Sequence, residues 1–171
     1  GTWASSGTCN AATTAIAAAC ANDAVDITAA GAATLTVTTG GPDDGSGATT
    51  FNIGDITNSG GTGGAISIAP AGNTTITVNI ASVDIGGAFA VANTDTATGA
   101  ATVAITGDAT VGGALTLTNV NTTADNKNVS MTVGGDLSVT GAVTLTAAAG
   151  NGAGANTILT VGGDLSTGGI T

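Results

Sequence analysis

The stretch Val103–Thr118 recurs without a gap 28 residues later as Met131–Thr146, and its opening returns once more at Leu159–Leu165. Self-similarity at a fixed period of this length is the signature of one supersecondary unit stacked many times. Earlier copies are looser. Val78-Asn-Ile80 with Ile85–Val91 matches after one deletion, and Phe51–Ile56 with Gly64–Ile68 matches after a short insertion. Val25-Asp-Ile27 with Leu35-Thr-Val37 gives a degenerate first copy. The copies then start at Val25, Phe51, Val78, Val103, Met131 and Leu159, spaced by 26, 27, 25, 28 and 28 residues.

Within a copy the aliphatic residues come in pairs two apart, as Met131/Val133, Leu137/Val139 and Val143/Leu145 show. Alternation of period two marks a strand with one buried face. Gly-Gly, Gly-Asp or Thr-Gly separates each short strand from the next, and glycine there is expected to supply the backbone angles of a sharp bend. Three strands and three bends make a triangular coil. The segments between copies, such as Asn119–Ser130 and Ala147–Ile158, are polar or small and read as loops along one edge.

One coil cannot bury its inward side chains alone, so the coils must stack. The expected fold is an all-β parallel β-solenoid, or β-helix, of about six coils of 25–28 residues over 25–171. At roughly 4.8 Å per coil the rod would be about 29 Å long. Ile53, Ile80, Ile105, Val133 and Val161 should form one inward ladder, and Leu35, Ile66, Phe89, Leu115 and Val143 another. Residues 1–24 fall outside the repeat and read as an N-terminal cap or arm, helical or irregular. The Ala-rich run Ala11–Ala21, with Ile16 and Cys20 four apart, suits a short helix over the first coil, with Trp3 packed against it.

Composition narrows the function classes. The 171 residues carry 11 Asp, one Lys (Lys127), no Arg and no His, for a net charge of −10. Nucleic acid is not an expected partner, because phosphate binding needs clustered Lys or Arg. No apolar run approaches the length of a membrane-spanning helix, so no membrane insertion is expected. The chain opens on Gly1-Thr2-Trp3 and reads as a processed, mature form. Without imidazole or guanidinium groups the usual acid–base and anion-clamping chemistry is missing, so an enzyme is not expected and no cofactor is implied. The carboxylate pairs Asp43/Asp44 and Asp23/Asp26 sit in polar turns with no aromatic groove around them.

The wording T-V-G-G-D-L-S-V-T-G-A-V-T-L-T at Thr132–Thr146 resembles the repeats of filamentous haemagglutinin-like and other large bacterial β-solenoid adhesins. The resemblance is one of repeat style over roughly 25–171. It implies an extracellular or cell-surface protein, a self-assembling subunit of a filament, sheath or adhesin stalk. Its partners would be other copies of itself, end to end, with surface glycans as a further class. In such an oxidising compartment Cys9 and Cys20, the two cysteines of the chain, are expected to form a disulfide that staples the N-terminal segment.

Several residues stand out as candidate sites. Asp55, Asp108, Asp136 and Asp164 occupy one corner in four coils, either as a Ca²⁺ ladder or as turn residues bonding nearby backbone. The outward residues of the third strand are small: Thr34/Thr36/Thr38, Ala65/Ser67/Ala69, Ala88/Ala90/Ala92, Ala114/Thr116/Thr118 and Ala142/Thr144/Thr146. Such a flat Thr/Ala face suits an ice- or glycan-binding module, the alternative function, or simply reflects the β-propensity of Thr. Asn73, Asn121 and Asn128 head N-glycosylation sequons. The sixth copy stops short of a third strand equivalent to Val143–Thr146. Its open edge is expected to take another copy, with Gly1–Thr8 of the neighbour completing the coil.

Overall fold

A computed structural model describes residues 3–5, 24–27, 33–38, 49–58, 63–70, 74–93, 99–120, 127–148 and 156–171. Among them are sixteen strands and no helix. These are β1 (Trp3–Ser5), β2 (Val25–Ile27), β3 (Thr34–Thr38), β4 (Thr49–Ile53), β5 (Ile56–Thr57), β6 (Ala65–Ala69), β7 (Ile76–Ile80) and β8 (Val83–Ile85). There follow β9 (Phe89–Asn93), β10 (Ala101–Ile105), β11 (Ala109–Val111), β12 (Leu115–Asn119), β13 (Val129–Val133), β14 (Leu137–Ala147), β15 (Thr157–Val161) and β16 (Leu165–Ile170). Apart from β1 the pairing is parallel, each strand lying on its equivalent one repeat away. The fold is the parallel β-solenoid that the repeat demands.

The strands stack in three columns. The first runs β4-β7-β10-β13-β15, the second β2-β5-β8-β11-β14-β16, and the third β3-β6-β9-β12-β14. Four coils have all three sides: β4–β6, β7–β9, β10–β12 and β13–β14. The six copies are thus four complete coils between two partial ones. Both expected ladders are in register, Ile53-Ile80-Ile105-Val133-Val161 in the first column and Leu35-Ile66-Phe89-Leu115-Val143 in the third. Phe89, Leu115, Val133 and Val143 are fully buried. Burying each such side chain stabilises the fold by about 1.5–3 kcal/mol, and a core this narrow has no second layer to replace it.

The ends of the repeat depart from expectation. Val25-Asp-Ile27 does not lie over Phe51. Val25 pairs with Ile56 and Asp26 with Thr57, so the first coil starts in the second column. Nor are residues 1–24 all outside the stack. Trp3, Ala4 and Ser5 pair antiparallel with Ile27, Asp26 and Val25, so β1 covers the edge of β2. The helix expected over Ala11–Ala21 lies outside the described residues. The last coil does not lack its third side entirely. After a register shift, Gly169 and Ile170 pair with Ala142 and Val143.

Two further features differ locally. First-column strands begin before the aliphatic pair, because Val129 pairs with Ala101 and Thr157 and so draws the end of each supposed loop into the sheet. The corner glycines are required for close approach rather than for unusual angles. Gly87, Gly107, Gly112, Gly113, Gly134, Gly135, Gly162 and Gly163 all lack a left-handed φ. At Gly112 a Cβ would lie 2.5 Å from the carbonyl oxygen and 2.9 Å from the Cα of Gly86 in the coil before. Backbone meets backbone there, so neither side can yield cheaply.

This gives a contrast between two glycines of equal rank in the sequence. Gly112→Ala should destabilise by about 2–3 kcal/mol through overpacking. Gly169→Ala, where a Cβ meets nothing within 4 Å, should stay within about 0.5 kcal/mol. Thermal unfolding followed by circular dichroism checks both. Equal losses would show that coil-to-coil contact is not what the corner glycines serve.

Candidate functional site

The corner between the first and second columns gathers the chemistry-bearing residues that the repeat singled out. Asp55, Ser82, Asp108, Asp136 and Asp164 stand there one above another, because each is the last residue before a second-column strand. The carboxylates bond along the stack. The Asp136 backbone N–H donates to Asp108 Oδ1 at 2.9 Å, and the Asp164 N–H donates to Asp136 Oδ1 at 2.8 Å. Ser82 Oγ donates to Asp55 Oδ1 at 2.7 Å. The partner of Asp55, Asp108 and Asp136 is therefore the corner of the following coil, not the local turn that a short sequence window suggests. A carboxylate here caps a backbone donor that a sharp corner turns away from the sheet.

The four carboxylates are spread one to a coil. Among the described residues no three His, Cys, Asp or Glu side chains come together as a metal-holding group. At a spacing of about 4.8 Å in water, neighbouring carboxylates repel by only about 0.9 kcal/mol, less than the bonds they make can offset. Asp26 and Asp84 lie on second-column strands, and Thr57 Oγ1 donates to Asp26 Oδ1 at 3.3 Å. All six Asp among the described residues thus lie on one side of the triangle. The first- and third-column strands carry no charged residue.

The third-column face is in register as expected, with Thr36, Ser67, Ala90, Thr116 and Thr144 in one line. Hydroxyls do not repeat in every coil, because Ala90 interrupts that line and Ala92 pairs with Thr118. Asn128 sits just before β13, half-buried, with its Oδ1 accepting from the Asn156 backbone N–H at 3.1 Å. Asn73, Asn121, Cys9, Cys20, Asp23, Asp43 and Asp44 lie outside the described residues.

Two functional positions escaped the reading of the sequence. Asn93 and Asn119 are fully buried at the inward end of β9 and β12 and pair with each other in register. Asn93 Nδ2 donates to the Gly99 carbonyl at 2.5 Å, and Asn119 Nδ2 donates to the Lys127 carbonyl at 2.6 Å. Each amide ties the end of its third-column strand to the backbone two residues before the next first-column strand. The signal was present: in Phe-Ala-Val-Ala-Asn and Leu-Thr-Leu-Thr-Asn the alternation brings Asn to an inward position. No protein-family model, curated protein or solved structure matches the chain.

The corner stack responds differently to two substitutions at one residue. Asp136→Asn keeps an oxygen acceptor for the Asp164 N–H and should change stability by no more than about 0.5 kcal/mol. Asp136→Ala removes the acceptor and should cost about 1 kcal/mol. Urea denaturation with and without millimolar calcium measures both. A large calcium-dependent stabilisation of the wild-type chain, lost in Asp136→Asn, would overturn the backbone-capping role.

Proposed function

We propose that this chain is a structural rod, a subunit of an extracellular or cell-surface filament, sheath or adhesin stalk that joins other copies of itself end to end. The observation that carries the reading is the in-register parallel stack, in which each strand is the template for its equivalent one repeat on, and whose last described strands are β15 and β16. Each has one sheet neighbour among the described residues, β13 and β14 respectively. Leu159 and Val161 are half-buried, although their partners Met131 and Val133 are fully buried. Leu165 is 41% exposed, and Ile170 is 62% exposed.

Such an edge presents backbone donors and acceptors beside aliphatic side chains in ladder register, a template for one more coil, whether of this chain or of a second copy. A contact between unlike ends does not close on itself, so it propagates as a filament. The acidic, His- and Arg-free composition suits a load-bearing surface element better than a catalyst. Donation of Gly1–Thr8 to a neighbour is a secondary part of the reading, since β1 already pairs with its own β2 and would have to leave it.

Sedimentation velocity over a wide concentration range, paired with negative-stain imaging, tests the proposal. The expected outcome is a series of species growing in length with concentration, and fibres one rod wide. The same growth in a chain lacking residues 1–8 would retain assembly and remove strand donation. A monomer at high concentration contradicts self-assembly.

A further inference from the structure

The corner between the first and second columns changes length along the rod. Two residues span it in the second and third coils, Gly54-Asp55 and Ala81-Ser82. Three span it from the fourth coil on, beginning with Thr106-Gly107-Asp108. Where the shorter corner meets the longer one the stack has a step. Between the two short corners the Ala81 N–H is shared between the carbonyls of Ile53 at 3.2 Å and Gly54 at 3.3 Å; at the step itself Thr106 N–H bonds Ile80 at 2.9 Å and Gly107 N–H bonds Ala81 at 2.8 Å. At the step lies a notch of about 160 Å³, lined by Asn52, Asn79, Ala81 and Thr106.

Asn52 and Asn79 are in register on the outer side of β4 and β7, and Asn79 Nδ2 donates to Asn52 Oδ1 at 2.8 Å. The next residue of that line is Ala104, which pairs with Asn79. The amide ladder therefore stops after one rung and leaves room beyond it. One rung uses one N–H and one carbonyl lone pair of the two amides. Three N–H donors and the other carbonyl remain for a ligand, whichever way each amide is turned. The Thr106 hydroxyl adds a group that both donates and accepts.

We propose that this notch binds the hydroxyls of a neutral sugar, one ring of a glycan. Hydroxyls on adjacent ring carbons each donate and accept, which matches a set holding open amide N–H groups, an amide carbonyl and a hydroxyl. The Ala81 wall faces the C–H side of the ring. An anionic ligand is disfavoured by the neighbouring carboxylate edge and by a net charge of −10. The volume admits one ring at the surface of the rod, so binding is weak. The site lies in the second to fourth coils, away from the β15–β16 edge, and does not depend on end-to-end assembly.

The test is a titration of the ¹⁵N-labelled chain with methyl glucoside, methyl galactoside and N-acetylglucosamine, with glycerol as a non-sugar polyol. The expected result is saturable movement of the Asn52 and Asn79 side-chain amide signals with at least one sugar and not with glycerol. Asn79→Ala should abolish it. Ala104→Asn, which continues the ladder and occupies the open carbonyl, should weaken binding at least tenfold, with both variants melting as the wild type does. Absence of saturable shifts with all three sugars, equal shifts with glycerol, or unchanged shifts in Asn79→Ala would each overturn the proposal.

Discussion

Everything in this molecule depends on one constraint: a strand must find its twin one repeat along the chain, in register, with the same residue pointing inward. Backbone hydrogen bonds join the coils, so no coil is complete without a neighbour. The aliphatic ladders set which register is acceptable, because a slip of one residue would turn every inward side chain to solvent. The corner glycines let the coils come close enough for both to operate. Remove the close approach at Gly112 over Gly86 and the ladders on either side are forced apart.

The polar residues serve the same constraint at the places where sheets cannot. Corners turn backbone donors out of the strand ladder, and the Asp column returns partners to them from the adjacent coil. The crossing from the third column to the next coil is held from inside by Asn93 and Asn119, which would be costly to bury without the carbonyls they bond. Ser82 fills the Asp position in the third coil with a donor in place of an acceptor, and so satisfies the Asp55 carboxylate. Side chains that look like candidate ligands in the sequence are, in the structure, fastenings between coils. The exception is the Asn52–Asn79 pair, whose rung leaves amide groups open beside a step in the corner.

Much of the fold was legible because the repeat is strict from Val103 to Val161, where spacing alone aligns both ladders and the Asp corner. The looser ends were less so. Val25-Asp-Ile27 was assigned to the first column by its order in the chain, yet the same tripeptide occurs at Val83-Asp-Ile85, and that identity marks the second column correctly. Val129 and Thr157 read as loop in the sequence because their neighbours are polar. What makes them strand is the partner across the coil, which composition cannot show. Corner glycines suggest unusual angles because bends commonly need them, whereas stacking distance is what excludes a side chain there. The partners of Asp108 and Asp136 lie 28 residues away, beyond any local turn.

The rod reading rests on a stack that is sealed in the middle and open along β15 and β16, and hydrogen exchange resolved strand by strand tests that most directly. In dilute solution β7, β10 and β13 should exchange slowly and β15 and β16 faster, and the protection of β15 and β16 should rise as protein concentration rises. Rapid exchange through β7, β10 and β13 would contradict the in-register stack itself. Protection of β15 and β16 that does not change with concentration would contradict their use as the joining edge.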